Sequence, residues 1–196
     1  ADGGWEDQKN VDRFLRYCER TVKHLGDLID TAYTINEANL TATLVAAGVF
    51  PPDGLKSRAP FVGEAAARCG STIERFGPFL VGHPMKIRDT MVQAHVRSRD
   101  VIKSGPGSFP VGVTLAMQDY QALPGGEAQR DKARKDSFDP FLEAARKDDF
   151  VGVQTYSRHR FGPEGPIGPE AGVKVLALGY EFWPEALEGT IRYASK

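Results

Sequence analysis

The sequence predicts an α/β fold assembled from successive strand and helix units, on three observations. Apolar residues recur at helical spacing in separated stretches, short segments rich in β-branched residues lie between them, and the best of those segments carries no charge on either face. Along the 196 residues the order is helix, strand, helix, strand, helix, strand, helix. Such units join parallel strands through right-handed crossovers, making an open doubly wound sheet or a closed barrel. No GxGxxG or GxxxxGKS/T phosphate loop follows any of the strands. That favours a (β/α)8-type barrel, whose working residues sit at the carboxyl ends of strands.

The first helix follows from Val11, Phe14, Leu15, Cys18, Val22 and Leu25, spaced three and four apart, with Gly26 placed as a C-cap glycine. Residues 28–35, rich in Ile, Tyr and Thr, read as a strand with Glu37 at its carboxyl end. From Gly48 to Gly82 the chain reads as an irregular excursion punctuated by Pro51, Pro52, Pro60 and Pro78. Short helical pieces are expected there around Ala65 to Ala67 and Ile73. Pro84 opens a helix through Ile87, Met91, Ala94 and Ile102 that Gly105 closes. Val111, Val113, Leu115 and Met117 alternate with Gly112, Thr114 and Ala116, the pattern of a parallel strand covered on both sides. Phe141, Leu142 and Ala145 suggest a short helix, and residues 150–156 a third strand. Residues 162–172 read as a Gly/Pro loop, and Pro184 begins a last helix with Ala186, Leu187, Ile191 and Tyr193 on one face.

Composition narrows the function classes. With 41% hydrophobic and 26% charged residues, and no apolar run near the ~18 residues of a membrane span, the chain reads as globular, without a membrane partner. Its 25 basic and 26 acidic residues leave a net charge of -1 and give no reason to expect nucleic acid. Cys18 and Cys69 are too few and too far apart for a disulfide framework or a zinc site, which favours a reduced, cytoplasmic setting. No signal-peptide pattern opens the chain, an observation without force for a piece of a longer protein.

Thr34-Ile35-Asn36-Glu37 resembles the acid/base strand end of family-1 retaining β-glycosidases, written T-x-N-E-P. Other landmarks follow in the family's order. Phe50-Pro51-Pro52-Asp53-Gly54 is similar to its F-P-P-G loop, and Val111-Gly112-Val113-Thr114-Leu115 to its fifth strand. Residues 149–156 resemble its D-F-x-G-x-N-Y-Y strand, and residues 179–187 its G-W-E-x-Y-P-E-G-L segment. The resemblance covers nearly all of this chain but only the middle of the family's barrel, roughly strands 4 to 6 with flanking helices. It implies that residues 1–196 form a single segment of a TIM-barrel glycosidase domain, incomplete at both ends.

By that resemblance Glu37 is the acid/base and Tyr156 the tyrosine that orients the nucleophile. Asn36 hydrogen-bonds the sugar 2-hydroxyl, and Gln154, where the family usually has Asn, contacts the sugar or the neighbouring catalytic group. The implied activity is that of a β-glucosidase or broader β-glycosidase, with a β-glucoside or related small glycoside as partner and neither cofactor nor metal. Retaining chemistry places an acid of raised pKa about 5 to 5.5 Å from a nucleophilic carboxylate. The family's nucleophile motif, I-T-E-N-G on the seventh strand, is not found here, so the segment alone is expected to be inactive. Three departures accompany this: Ala38 for the usual Pro, Gln154-Thr155 for Asn-Tyr, and a shortened stretch between Leu115 and Phe150. Two open sheet edges, and inner-face apolar residues such as Val113 and Val153, would call for self-association or for the remainder of the barrel. A catalytically inactive sugar-binding or structural fragment is the competing reading. An unrelated open α/β binding domain, with Glu37 far from Tyr156, is the third.

Other residues carry plainer expectations. His24, His95 and His159 have no ligand spacing and read as packed or solvated. Asp148-Asp149 looks like an acid/base pair, but adjacent residues at the start of a strand point to opposite faces, at the end of a barrel that serves stability. Asn39-Leu40-Thr41 is a formal glycosylation sequon expected to be unused beside a strand end. Tyr180, Phe182 and Trp183 read as a hydrophobic anchor around a helix start, or as sugar-stacking rings.

Overall fold

The computed structural model describes residues 3–55 and 60–196. Strands β1 (Ala32–Tyr33), β2 (Val111–Ala116) and β4 (Phe150–Gln154) form a parallel sheet in the order β1-β2-β4. Helix α1 (Lys9–Leu25) precedes β1. Between β1 and β2 lie α2 (Leu40–Ala46), α3 (Pro60–Arg68) and α4 (Pro84–Lys103). Strand β3 (Asp119–Ala122), α5 (Glu127–Ser137) and α6 (Asp139–Ala144) separate β2 from β4. Beyond β4 come β5 (Arg158–Gly162), β6 (Gly165–Ile167) and α7 (Ala186–Ala194). Adjacent parallel strands joined through helices on one side make an arc of a (β/α)8 barrel, and the arc is not closed. A doubly wound sheet is thereby set aside. No helix of the described residues is long and apolar enough to cross a membrane.

The helical stripe of α1 behaves as its spacing requires: Cys18 and Val22 are buried with Ile102 of α4 and Val111 of β2. Gly26 does not act as a left-handed cap. It has φ -54 and leads into a 3-10 turn, Gly26–Leu28. Its hydrogen side chain matters for another reason, because a Cβ there would lie 2.1 Å from the carbonyl oxygen of Pro106. The strand expected over 28–35 is ladder-paired only at Ala32 and Tyr33, with Thr34 N–H still donating to the Gly112 carbonyl at 2.9 Å. Residues 28–31 lie before the start of the register with β2 and make no ladder pair among the described residues; Leu28 is 80% exposed.

All six residues of β2 are buried, as its uncharged alternation requires. Its two faces differ in role. Val113 and Leu115, with Met117 just beyond, pack on Ile87 and Met91 of α4 and on Phe138 and Phe141 around α6. Val151 and Val153, in register with Val113 and Leu115, join the same cluster. The expectation that Val113 and Val153 face the barrel interior is therefore wrong: they face the helices. The interior face carries Gly112, Thr114 and Ala116 beside Phe150, Gly152 and Gln154. Two of those interior residues are glycines for steric reasons. Tyr33 and Phe150 meet edge-on across Gly112, with ring centroids 5.8 Å apart. A Cβ at Gly152 would lie 2.6 Å from Thr114 Cγ2.

Several elements escaped the sequence reading. Helix α5 is so polar that only Ala133 and Ser137 are buried, so it has no apolar period to read. The shape of residues 162–172 differs from a plain loop, since β5 and β6 form an antiparallel hairpin turning at Gly165, whose φ of 126 suits glycine. Strand β3 runs parallel beside β5 and prolongs the β2/β4 pair beyond the sheet. Near Ile73 there is a single turn in place of the expected helical piece.

Candidate active site

The carboxyl ends of β1, β2 and β4 place four of the named residues together. Tyr156 Oη donates to Glu37 Oε1 at 3.1 Å, and Gln154 Nε2 donates to Asn36 Oδ1 at 2.7 Å. Thr114, at the middle of the arc, joins both pairs. Its Oγ1 accepts the Glu37 backbone N–H at 3.3 Å and donates to Asn36 Oδ1 at 3.0 Å. Asn36 and Tyr156 are exposed and Glu37 is half-buried, so the cluster faces solvent. An open domain with Glu37 remote from Tyr156 is excluded by these distances.

Glu37 has φ 50, a positive value uncommon in a residue with a side chain. Such conformations cost on the order of 1–3 kcal/mol and persist where surroundings enforce them. The enforcement is visible on both sides of the residue. Thr114 holds the Glu37 N–H, and the Glu37 carbonyl accepts Leu40 N–H at 2.9 Å. Ala38 then drops into the core and Asn39 is 1% exposed.

The Asn39 carboxamide acts as a piece of backbone. Its Oδ1 accepts Ala116 N–H at 2.9 Å, and its Nδ2 donates to the Ala116 carbonyl at 2.9 Å and the Ser137 carbonyl at 3.2 Å. The amide thus satisfies the end of β2, which has no further residue of β1 to pair with. A glycan at this sequon asparagine would have to displace those bonds, so the structure leaves the sequon no room for use.

Tyr156 is anchored from behind. Gln118 is buried, and its Oε1 accepts the N–H groups of Tyr156 at 3.3 Å and Ser157 at 2.7 Å. The Tyr156 ring stacks on Tyr180, with centroids 5.9 Å apart and planes 18° from parallel. Partial burial, then the hydrogen bond donated to Glu37 and the charges of Glu37 and Tyr180, raise the phenol above its ordinary pKa. The link shown by the geometry runs from Tyr156 to Glu37, whereas the role expected of this tyrosine was toward a nucleophile.

Tyr180 is held through its neighbour. Glu181 is 5% exposed and pairs with Arg158, with Arg160 at 3.8 Å. It also accepts the N–H of Glu170. Burial pushes its carboxyl upward, but the Arg158 bond, the Glu170 N–H and the two guanidinium charges outweigh that and lower it. Trp183 lies under the Arg158 guanidinium, 3.6 Å from ring centroid to Cζ, and so serves as an anchor. Phe182 is 52% exposed beside Lys174.

The remaining polar residues are structural. Asp148 bonds Arg99 at 3.1 Å and faces His95 at 3.3 Å, and Asp149 accepts the N–H of Val111 and pairs with Lys103. His159, on β5, packs edge-on against Tyr120 and its pKa is lowered by burial. No group of three or more His, Cys, Asp or Glu side chains that could hold a metal ion occurs among the described residues. Thr114, Gln118 and Asn39 were not foreseen as parts of the site. Only the small, polar alternation of β2 pointed to Thr114 at all.

The family model for glycosyl hydrolase family 1 matches residues 1–159. Among solved structures, the β-glycosidase BGL167 is 40% identical over 98% of this chain, with a TM-score of 0.89. The β-glucosidase 1317 is 32% identical over 98%, with a TM-score of 0.83. A hyperthermophilic β-glucosidase from Pyrococcus furiosus, 24% identical over 97% of the chain with a TM-score of 0.70, shares the fold. The chain spans 46%, 47% and 40% of the length of these three proteins. No curated protein sequence matches it.

Proposed function

The chain belongs to glycosyl hydrolase family 1, and we propose that within a complete barrel it hydrolyses β-glucosides or related small β-glycosides with retention, releasing the sugar at the non-reducing end. The observation that carries the proposal is the strained, solvent-facing Glu37 at the carboxyl end of β1, bonded to Tyr156 and flanked by the Asn36 amide. In the first step Glu37 protonates the departing glycosidic oxygen while a carboxylate from the remainder of the barrel attacks the anomeric carbon. In the second, Glu37 takes a proton from water, which displaces the enzyme from the sugar. Asn36 donates to the sugar 2-hydroxyl, a contact that strengthens as positive charge develops at the ring. Tyr156, through its bond to Glu37, keeps the carboxyl aimed during both transfers. The reaction calls on no cofactor. A cytoplasmic setting remains an expectation from the two unpaired cysteines.

A second reading, an inactive sugar-binding or structural piece, is favoured by one observation. Among the described residues, β2 and β4 end in Ala116 and Gln154, and neither supplies a carboxylate opposite Glu37. Hydrolysis of two aryl β-glucosides separates the readings in a polypeptide that includes the rest of the barrel. Glu37→Gln is expected to lower kcat/KM about 10²- to 10⁴-fold for a poor leaving group and far less for dinitrophenolate, which departs without a proton, while kcat falls for both because the second step loses its base. Unchanged turnover of both by the variant would overturn the acid/base assignment. No hydrolysis by the parent would favour the inactive reading.

A further inference from the structure

The Asn36 carboxamide is held asymmetrically. Its oxygen accepts from Thr114 Oγ1 at 3.0 Å and from Gln154 Nε2 at 2.7 Å, which uses both lone pairs. Its Nδ2 forms no hydrogen bond among the described residues, and the side chain is exposed. Thr114 in turn is committed by a second contact. Its oxygen accepts the Glu37 N–H, and its one proton goes to Asn36 Oδ1, which can only accept.

We propose that Thr114 and Gln154 are positioning residues that turn the Asn36 amide oxygen into the sheet and its amino group toward the bound sugar. One threonine hydroxyl thereby ties the sugar-binding amide to the backbone of the acid/base residue. The inference rests on the reading of this site as a glycoside site. It also gives Gln154 a role toward Asn36, to which one of its two amide N–H groups donates. The position of Thr114 is enforced by packing: it is 6% exposed, and its methyl occupies the space opposite Gly152, where any Cβ would lie 2.6 Å away. An amide with a fixed amino group selects for a sugar oxygen that can accept, so a ring lacking its 2-hydroxyl loses the contact.

The test is ¹⁵N relaxation of the Asn36 side-chain amide in the whole 196-residue chain. Thr114→Val and Gln154→Ala are each expected to drop its order parameter from near backbone rigidity to below about 0.6, and Thr114→Ser to preserve it. Gln154 sits at the open edge of the sheet, so its truncation tests the idea even where Thr114→Val disturbs folding. An Asn36 amide as rigid in Gln154→Ala as in the parent overturns the proposal. Methyl β-glucoside and its 2-deoxy analogue, added in turn to a polypeptide that includes the rest of the barrel, separate positioning from sugar binding. The Asn36 amino resonance is expected to shift with the first only, and less in the variants. If neither sugar shifts it while the variants still loosen the amide, positioning stands and the glycoside reading fails.

Discussion

Two polar clusters lie on opposite faces of the same three strands, and each is built around one carboxylate. On the helix-facing side, His95 of α4 bonds Thr34 Oγ1 at 2.8 Å and lies 3.3 Å from Asp148, and Arg99 completes the set. The side chains of His95 and Asp148 are wholly out of solvent. On the interior side, Glu37, Asn36, Gln154 and Tyr156 form a chain of similar length that water reaches. A Thr-His-Asp row looks more like a catalytic device than a lone glutamate does, yet no substrate can approach it. What separates the clusters is access: the helices close over one, and the ends of the strands leave the other open. In the dry cluster Arg99 and Thr34 offset the burial of Asp148 and His95, whereas in the open one partners aim groups that would otherwise be solvated.

The sharpest way to break this distinction is to remove one carboxylate from each cluster and compare stabilities. Asp148→Ala removes from a dry site the carboxylate that both Arg99 and His95 face, leaving Arg99 with Asp100 and the Ala144 carbonyl and His95 with Thr34. It is expected to lower unfolding free energy by about 3–5 kcal/mol in urea melts. Glu37→Ala is expected to change it by less than about 0.5 kcal/mol, since alanine keeps the same backbone conformation and only a solvent-facing carboxylate is lost. Similar losses from both would mean that the open cluster is also structural.

Asn39 tests the boundary between the clusters, since it is buried yet lies two residues from Glu37. Asn39→Ala strips the Ala116 N–H of its partner, leaves the Ala116 carbonyl only the longer bond from Thr43, and is expected to cost about 2–4 kcal/mol. Because the same amide fixes the turn after Glu37, the variant is also expected to broaden the Glu37 backbone resonance. A loss of stability without that broadening would place Asn39 with the dry cluster alone.

The smallest effect concerns acid. The carboxyl of Glu181 is lowered in the folded chain, so its stabilisation is present above the unfolded value of about 4.3 and is lost as pH falls through the folded one. Glu181→Gln is therefore expected to flatten the decline in stability below about pH 4, read from urea midpoints at successive pH. Asp149, lowered first by its bond to Lys103 and then by the Val111 N–H, leaves part of the slope in place. An unchanged slope would mean that the arginine cluster does not anchor Tyr180 through this carboxylate.

Elements with an apolar period were legible from residue order. The α1 stripe, the long α4 opened by Pro84, the uncharged β2 and the helix behind Pro184 all stand where the spacing puts them. Helix α5 and the β5–β6 hairpin were not legible, because one buries almost nothing and the other is built on glycine and proline. The four named site residues came from motifs, and the structure brings all four together. Their supports did not, since Gln118 meets Ser157 and Asn39 meets Ala116 across 39 and 77 residues, through bonds that exist only in the assembled sheet.

Local order was enough to establish helix and strand period, the family pattern and the carboxylate at a strand end. It could not say which face of β2 meets the helices, since alternation with a period of two labels two faces without naming either. Nor could it say that Gly26 and Gly152 are small because something lies close against them. Those outcomes belong to the folded chain, where close approach, exclusion of water and pairing across strands determine what each side chain can touch.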